Sequence, residues 1–140
     1  MGKAIVAGSA QGWALVTKEP ISFWGGVNSR TGEIIDRRHE KSTATVAGKV
    51  FVFPQGKGSS TSSAVLLEAI KNNVAPIAII NLKVDPILAL GSIISDELYQ
   101  KVVPIVVLSE EDFFSIEEGD HITIEPQGKV SIKRKVPPAD

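Results

Sequence analysis

The chain has 140 residues, 43% of them apolar, which suffices for one domain with one real core, and its formal net charge of −1 leaves no electrostatic footprint for nucleic acid. It contains no cysteine, which excludes disulfides, a cysteine nucleophile, and thiolate ligands from this chain to zinc or an iron–sulfur cluster. His39 and His121 lie far apart with no metal-ligand spacing, no leader pattern opens the chain and no apolar run reaches about 18 residues, so a soluble cytoplasmic protein is expected.

In chain order, residues 3–6 and 13–17 have the composition of two short strands around a glycine-bounded turn at 8–12. From 20 to 41 the composition changes. Gly25-Gly26, Asn28-Ser29, Thr31-Gly32 and the charged run Asp36-Arg37-Arg38-His39-Glu40-Lys41 predict a long, largely irregular connection. Phe23-Trp24 and Ile34-Ile35 would tie it down as an ordered loop, with Trp24 in the core rather than serving as a ligand platform. Gly25-Gly26 reads as a plain turn, and Arg37-Arg38 and Lys133-Arg134-Lys135 as solvated surface.

Residues 49–53 form a nearly continuous apolar run, as expected of a central strand covered on both faces. A helix follows over 62–73. Val65, Leu66, Ala69 and Ile70 repeat at helical spacing, Glu68, Lys71 and Asn72 take the other side, and Asn73 supplies the stop. Residues 77–80 are a second buried strand, and strand–helix–strand in this order implies a right-handed parallel crossover. Asp85-Pro86 opens a short helical turn over 87–90, followed by Gly91-Ser92. A third buried strand spans 104–108, and Ser109 caps a short helix led by Glu110, Glu111 and Asp112. Residues 122–124 and 130–133 pair around Pro126-Gln127-Gly128. One α/β domain over 1–136 is expected, with residues 137–140 frayed.

The stretch with chemical potential is Gly56-Lys57-Gly58-Ser59-Ser60-Thr61-Ser62-Ser63, between the 49–53 strand and the helix. A glycine-rich turn feeding a helix N-terminus converges unpaired N–H groups and dipole potential on one point, which suits a carboxylate or phosphate. The same residues also fit a plain helix cap. A P-loop fails because Lys57 precedes the second glycine, and a nucleophile elbow fails because Gly58 directly precedes Ser59. A Ser59/His39/Asp36 triad has no support from spacing, and Gly91-Ser92 is a weaker copy of the anion-turn pattern.

Gly8 and Gly12 with Ala14-Leu15, Pro20-Ile21-Ser22-Phe23-Trp24-Gly25-Gly26-Val27, Thr31-Gly32-Glu33-Ile34-Ile35-Asp36, Gly48-Lys49, Phe53-Pro54 with Gly56-Lys57-Gly58-Ser59, and Ala89-Leu90-Gly91 together resemble the small subunits of aconitase X-type dehydratases. The resemblance spans about residues 3 to 110 and is most specific at the serine cluster and the Pro20–Val27 segment. It implies a swivelling β/β/α domain similar to the mobile domain of aconitase. It also implies a partner, a separate large subunit in a heterodimer or higher assembly, which holds a [4Fe-4S] cluster whose iron binds the leaving hydroxyl. The pair would be a hydro-lyase converting (R)-5-phosphomevalonate to trans-anhydromevalonate 5-phosphate in an archaeal mevalonate route to isoprenoids. This chain would supply no metal ligand.

The family's proton acceptor corresponds to Ser59, and Lys57, Gly58, Ser60, Thr61 and Ser63 would contact substrate. Serine is a poor base at neutral pH. It becomes adequate only as an alkoxide stabilised by converging N–H donors, the helix dipole and a nearby cation such as Lys57. Thr61 stands where aconitase's swivelling domain has an arginine, so that contact to a substrate carboxylate is not carried over. Negligible activity is expected of the chain alone, and the 20–41 loop, with Trp24 and Val27, is expected to help dock the large subunit. Two alternatives stand beside this reading. One is the same family acting on another hydroxy acid, such as a hydroxyproline derivative or a cis-homoaconitate-like compound. The other is a non-catalytic swivelling domain that binds a phosphorylated ligand or a protein.

Overall fold

The computed structural model describes residues 2–57 and 61–134. Residues 58–60, and with them Gly58, Ser59 and Ser60, lie outside the described residues, as does the tail expected to fray. Seven strands form one sheet in the order β1 (Lys3–Val6), β5 (Ile105–Val107), β4 (Ala78–Asn81), β3 (Val50–Val52), β2 (Ala10–Val16), β6 (His121–Ile124) and β7 (Val130–Lys133). The inner four, β5-β4-β3-β2, are parallel, while β1, β6 and β7 pair antiparallel on the outside. The sheet curls far enough for the Gly2 N–H to reach the carbonyl of Gly128, in the β6–β7 turn, at 3.0 Å.

Alternation along the central strands builds two apolar layers. Leu15, Phe51, Ile79 and Ile105 face the helix side, where Leu66 and Ile70 of α2 (Ser62–Lys71) and Leu88 and Ala89 of α3 (Pro86–Tyr99) cover them. Ala14, Val50, Val52, Ala78, Ile80 and Val106 face the other way, against Ile122 and Ile124 of β6, Ile116, and Phe113 of α4 (Glu110–Ser115). Phe51 and Phe53 are fully buried with ring centroids 4.5 Å apart. Burying each such ring contributes roughly 2–3 kcal/mol. The expected α/β class, the buried central strands, the parallel β3–α2–β4 crossover and the final hairpin are all present.

Three expectations are corrected. The first two strands do not flank a common turn. β1 crosses to the far edge and pairs with β5, while β2 begins at Ala10 and joins β3 and β6. Each thereby gives a parallel strand a partner for hydrogen-bonding groups that would otherwise be bare. The helix after Asp85 does not break at Gly91-Ser92 but runs to Tyr99. Gly91 is the contact point with α2, where a Cβ would stand 2.7 Å from the Ser63 carbonyl oxygen, and Ser92 Oγ donates to the Val103 carbonyl (2.7 Å) and accepts from its N–H (2.9 Å). Gly91 and Ser92 are therefore packing devices inside a helix.

The third correction concerns the 20–41 loop. It is ordered, as expected, by short bridges between Val27 and Ile34 and between Glu33 and Thr45. Phe23, Val27 and Ile34 enter the core, but Trp24 is 58% exposed and Ile35 43%. Trp24 is thus not a core residue, and buried Val27 offers no docking surface. Trp24 (φ −72, ψ 118) and Gly25 (φ 78, ψ −10) inside the single turn α1 (Phe23–Gly26) have type II turn dihedrals. Glycine at the second position makes that turn cheap and turns the indole outward. Among the described residues no helix is long and apolar enough to cross a membrane.

Candidate functional site

The carboxyl ends of the parallel strands converge on one surface, the usual place for ligands in an open α/β sheet. There β3 runs into Phe53-Pro54 and is locked to its neighbour. The Asn81 side-chain amide donates to the Phe53 carbonyl at 2.9 Å, and the Pro54 carbonyl accepts from the N–H groups of Leu82 (2.9 Å) and Lys83 (3.1 Å). On the other side, Ile21 bridges Gly56 in parallel fashion, and the Lys57 N–H donates to the Ile21 carbonyl at 3.1 Å. A Cβ on Gly56 would collide with Oδ2 of Asp85, whose Oδ1 caps α3. The approach to the serine cluster is therefore held by β4, the 20–22 segment and the start of α3 together.

Beyond the turn, α2 begins without an acidic residue in its first turn, so none of its own carboxylates offsets the N-terminal dipole there. Buried Ser62 turns its hydroxyl away from its own helix. Its Oγ accepts from the Trp24 N–H at 3.2 Å and lies 3.4 Å from Ser22 Oγ. Thr61 is exposed at the N-cap position, in helical rather than extended dihedrals, and its side chain makes no cap bond. Ser63 is half-buried, with its backbone against Gly91.

Against this junction opens a cavity of about 360 Å³, lined by Glu19, Ser22, Trp24, Gly25, Gly26, Asp36, Arg38, His39 and Lys57. His39 Nδ1 accepts from the Lys41 N–H at 3.0 Å, so the proton of the neutral ring sits on Nε2. That buried Nε2 stands 3.9 Å from Glu19 Oε2 and has no hydrogen-bond partner among the described residues. The loop behind it is pinned by Glu40, whose carboxylate accepts from the Thr17 hydroxyl and from the Lys18 N–H (3.1 Å). These two bonds, the Thr17 one foremost, hold the Glu40 carboxyl below its ordinary pKa.

Of the residues singled out from sequence, Lys57 lines the cavity, Thr61 and Ser63 begin α2, and Gly58, Ser59 and Ser60 are outside the described residues. Asp36 and His39 share the cavity but are not arranged as a triad, because Nδ1 accepts from Lys41 and Asp36 Oδ1 accepts from the Arg38 N–H at 3.0 Å. Sequence reasoning missed Asp85, Ser22 and Arg38 as site neighbours. Ser22 carries the signal of being a hydroxyl beside a glycine-rich turn, whereas nothing in an Arg-Arg pair distinguishes a cavity wall from solvated surface. A second cavity, of about 460 Å³, opens at the opposite ends of the strands among residues such as Gln11, Gly48, Ile77 and Lys101, remote from the serine turn.

The family described as aconitase X swivel domain matches residues 1–132 of the chain. The phosphomevalonate dehydratase small subunit of Methanosarcina mazei is 40% identical over 124 residues, which is 88% of this chain and 82% of that protein. The cis-3-hydroxy-L-proline dehydratase of Pseudomonas aeruginosa is 39% identical across 97% of this chain, yet the matched part is only 23% of that enzyme. Among solved structures, aconitase X of Thermococcus kodakaraensis in its holo-form superposes with a TM-score of 0.85 at 36% identity, covering 95% of this chain and 96% of that one.

Proposed function

We propose that this chain, which belongs to the aconitase X swivel-domain family, is the small subunit of a hydro-lyase that dehydrates (R)-5-phosphomevalonate to trans-anhydromevalonate 5-phosphate in a mevalonate route to isoprenoids. The observation that carries the reading is the β3–α2 junction. There a rigidly held strand end leads into the serine-rich segment and a helix start without its own acidic cap, next to a cavity whose lining includes Lys57 and Arg38. In this reading Ser59 Oγ takes the proton from the carbon beside the substrate carboxylate. The N–H groups of the turn and the dipole of α2 stabilise the alkoxide, and Lys57, Gly58, Ser60, Thr61 and Ser63 orient the substrate oxygens.

The reaction is completed by a large subunit. The dehydratase in which the matched part is 23% of a longer chain supports that division, since most of that chain lies outside the match. Residues of this chain do not fit a [4Fe-4S] cluster. Cysteine is absent, and among the described residues no group of three or more His, Asp or Glu could hold a metal ion. The proposal assigns the cluster to the large subunit, and no step of this chain's chemistry runs through it.

Ser59→Ala in the reconstituted pair tests this directly. Turnover should fall at least about 10²-fold while the subunits still co-purify. Near-normal rates would reduce Ser59 to a turn residue. A second reading, the same chemistry on a different hydroxy acid, is favoured by the likeness to the hydroxyproline enzyme. Assaying the wild-type pair on phosphomevalonate and on cis-3-hydroxy-L-proline separates the two.

A further inference from the structure

We propose that the outward face of α3, built on Leu90 and Ile93, is the surface on which the large subunit of the dehydratase sits. The identity of the partner rests on the dehydratase reading, whereas the exposed face stands independently of it.

A surface helix ordinarily turns its bulky apolar residues to the core and its polar ones to water. α3 does the reverse over most of its length. Besides Leu88 and Ala89, its buried positions are Gly91, Ser92 and Ser95. On the opposite side Pro86, Leu90 and Ile93 follow one another at spacings of four and three, with Leu90 and Ile93 each 50% exposed. Ile87 and Ile94 flank them, half-buried. The small residues inside have a packing reason: Gly91 lets α3 meet α2 at Ser63, and Ser92 is bonded to the Val103 backbone. The branched apolar side chains outside have none among the described residues. Aligned on one helix face and left in water, such side chains mark a contact surface.

Size and position identify the occupant. A stable interface takes about 800 Å² and some 20 residues from each side. The stripe alone is too small, so the surface next to it must belong to the same contact. At its N-terminal end the stripe runs into the candidate site. Val84, 52% exposed, precedes Asp85, whose carboxylate stands against Gly56 at the entry to the serine-rich segment. Leu90 adjoins Gly91, which touches Ser63 at the start of α2. A body that covers the stripe and the strand ends together therefore lies over the serine-rich segment, where the large subunit has to bring its part of the site. Charge describes the matching surface. α3 contains no basic residue, and its only charges, Asp96 and Glu97, close the stripe at the far end. The complementary face is apolar, with a cation opposite those two acids.

The test is the dissociation constant of the pair, measured by titrating purified large subunit onto the immobilised full-length chain. Leu90→Glu and Ile93→Glu should each weaken binding about tenfold or more. Leu90→Ala, which adds no charge, should weaken it less and in the same direction. Phe114→Glu, at a site equally exposed but on α4 in the other layer, should leave it unchanged. Both α3 positions face water and glutamate is a good helix former, so the circular dichroism of these variants should match wild type. Should either misfold, Leu90→Ala alone decides. The docking face is overturned if the α3 variants bind like wild type or if Phe114→Glu weakens binding as much. It is also overturned if the isolated chain forms a dimer that Ile93→Glu dissociates, because a second copy then covers the stripe. These results leave the dehydratase reading standing on its Ser59 test. A wild-type chain that binds no large subunit removes that reading, and with it the partner assigned to α3.

Discussion

Two adjacent crossovers of the same sheet treat the same problem in opposite ways. At β4–α3, Asp85 accepts from the N–H groups of Ile87 (3.0 Å) and Leu88 (3.3 Å), and Pro86 occupies the first turn where its missing N–H costs nothing. That junction is closed by its own residues. At β3–α2 the helix starts with no acid in its first turn, its N-cap residue Thr61 makes no side-chain cap bond, and the Ser62 hydroxyl accepts from the Trp24 N–H of another segment. One helix start consumes its polar groups in folding, while the other begins with no acidic residue to offset its dipole.

The two starts are held side by side by α2–α3 packing at Gly91, so the largest stability effect should come from filling that contact. Gly91→Val would push a branched side chain into the Ser63 backbone, which cannot yield as a side-chain tip would. A loss of about 2–3 kcal/mol in urea unfolding is expected. An unchanged midpoint would mean that the helices can separate freely and that α3 does not position the α2 start.

A smaller effect should come from opening the closed junction. Asp85→Ala should cost about 1 kcal/mol, the usual price of a lost N-cap, while Asp85→Asn should retain most of the stability because asparagine caps as well as aspartate. Thermal unfolding of the two variants decides the matter. If Ala and Asn behave alike, Asp85 is not what completes this helix start, and the contrast between the junctions fails.

Much of the fold was legible because its signals are local and apolar. The 49–53 run, the helical spacing of Val65, Leu66, Ala69 and Ile70, and the 77–80 and 104–108 runs each state their burial directly. What escaped depends on distant partners. Gly91-Ser92 looks like a helix break until α2 and Val103 are seen to need a missing Cβ and a hydroxyl there. Trp24 looks like core because it is large and apolar, but the dihedrals demanded by the following Gly25 face it outward. The glycine–serine turn stands out in the sequence as a candidate site, and its residues 58–60 lie outside the described residues. The cavity wall was not legible, because Arg38, Ser22 and His39 meet Lys57 only through the folding of the 20–41 loop.

One tie in the surroundings of the β3–α2 junction depends on pH. Glu40 pins the loop behind the cavity to Thr17 and Lys18 at the end of β2, and those bonds depress its carboxyl below the ordinary value of 4.5. A carboxyl whose pKa is lower folded than unfolded stabilises fully above the unfolded value, and that contribution disappears as pH falls through the folded one. The side chain is exposed and solvent screens it, so the effect should be slight. Between about pH 5 and pH 3 the wild-type melting temperature should fall a little more steeply than that of Glu40→Gln, which has no charge to lose. Parallel acid limbs would show that the ionised carboxylate contributes nothing to holding this loop, and that backbone ties such as the bridges at Val27–Ile34 and Glu33–Thr45 hold the cavity wall without it.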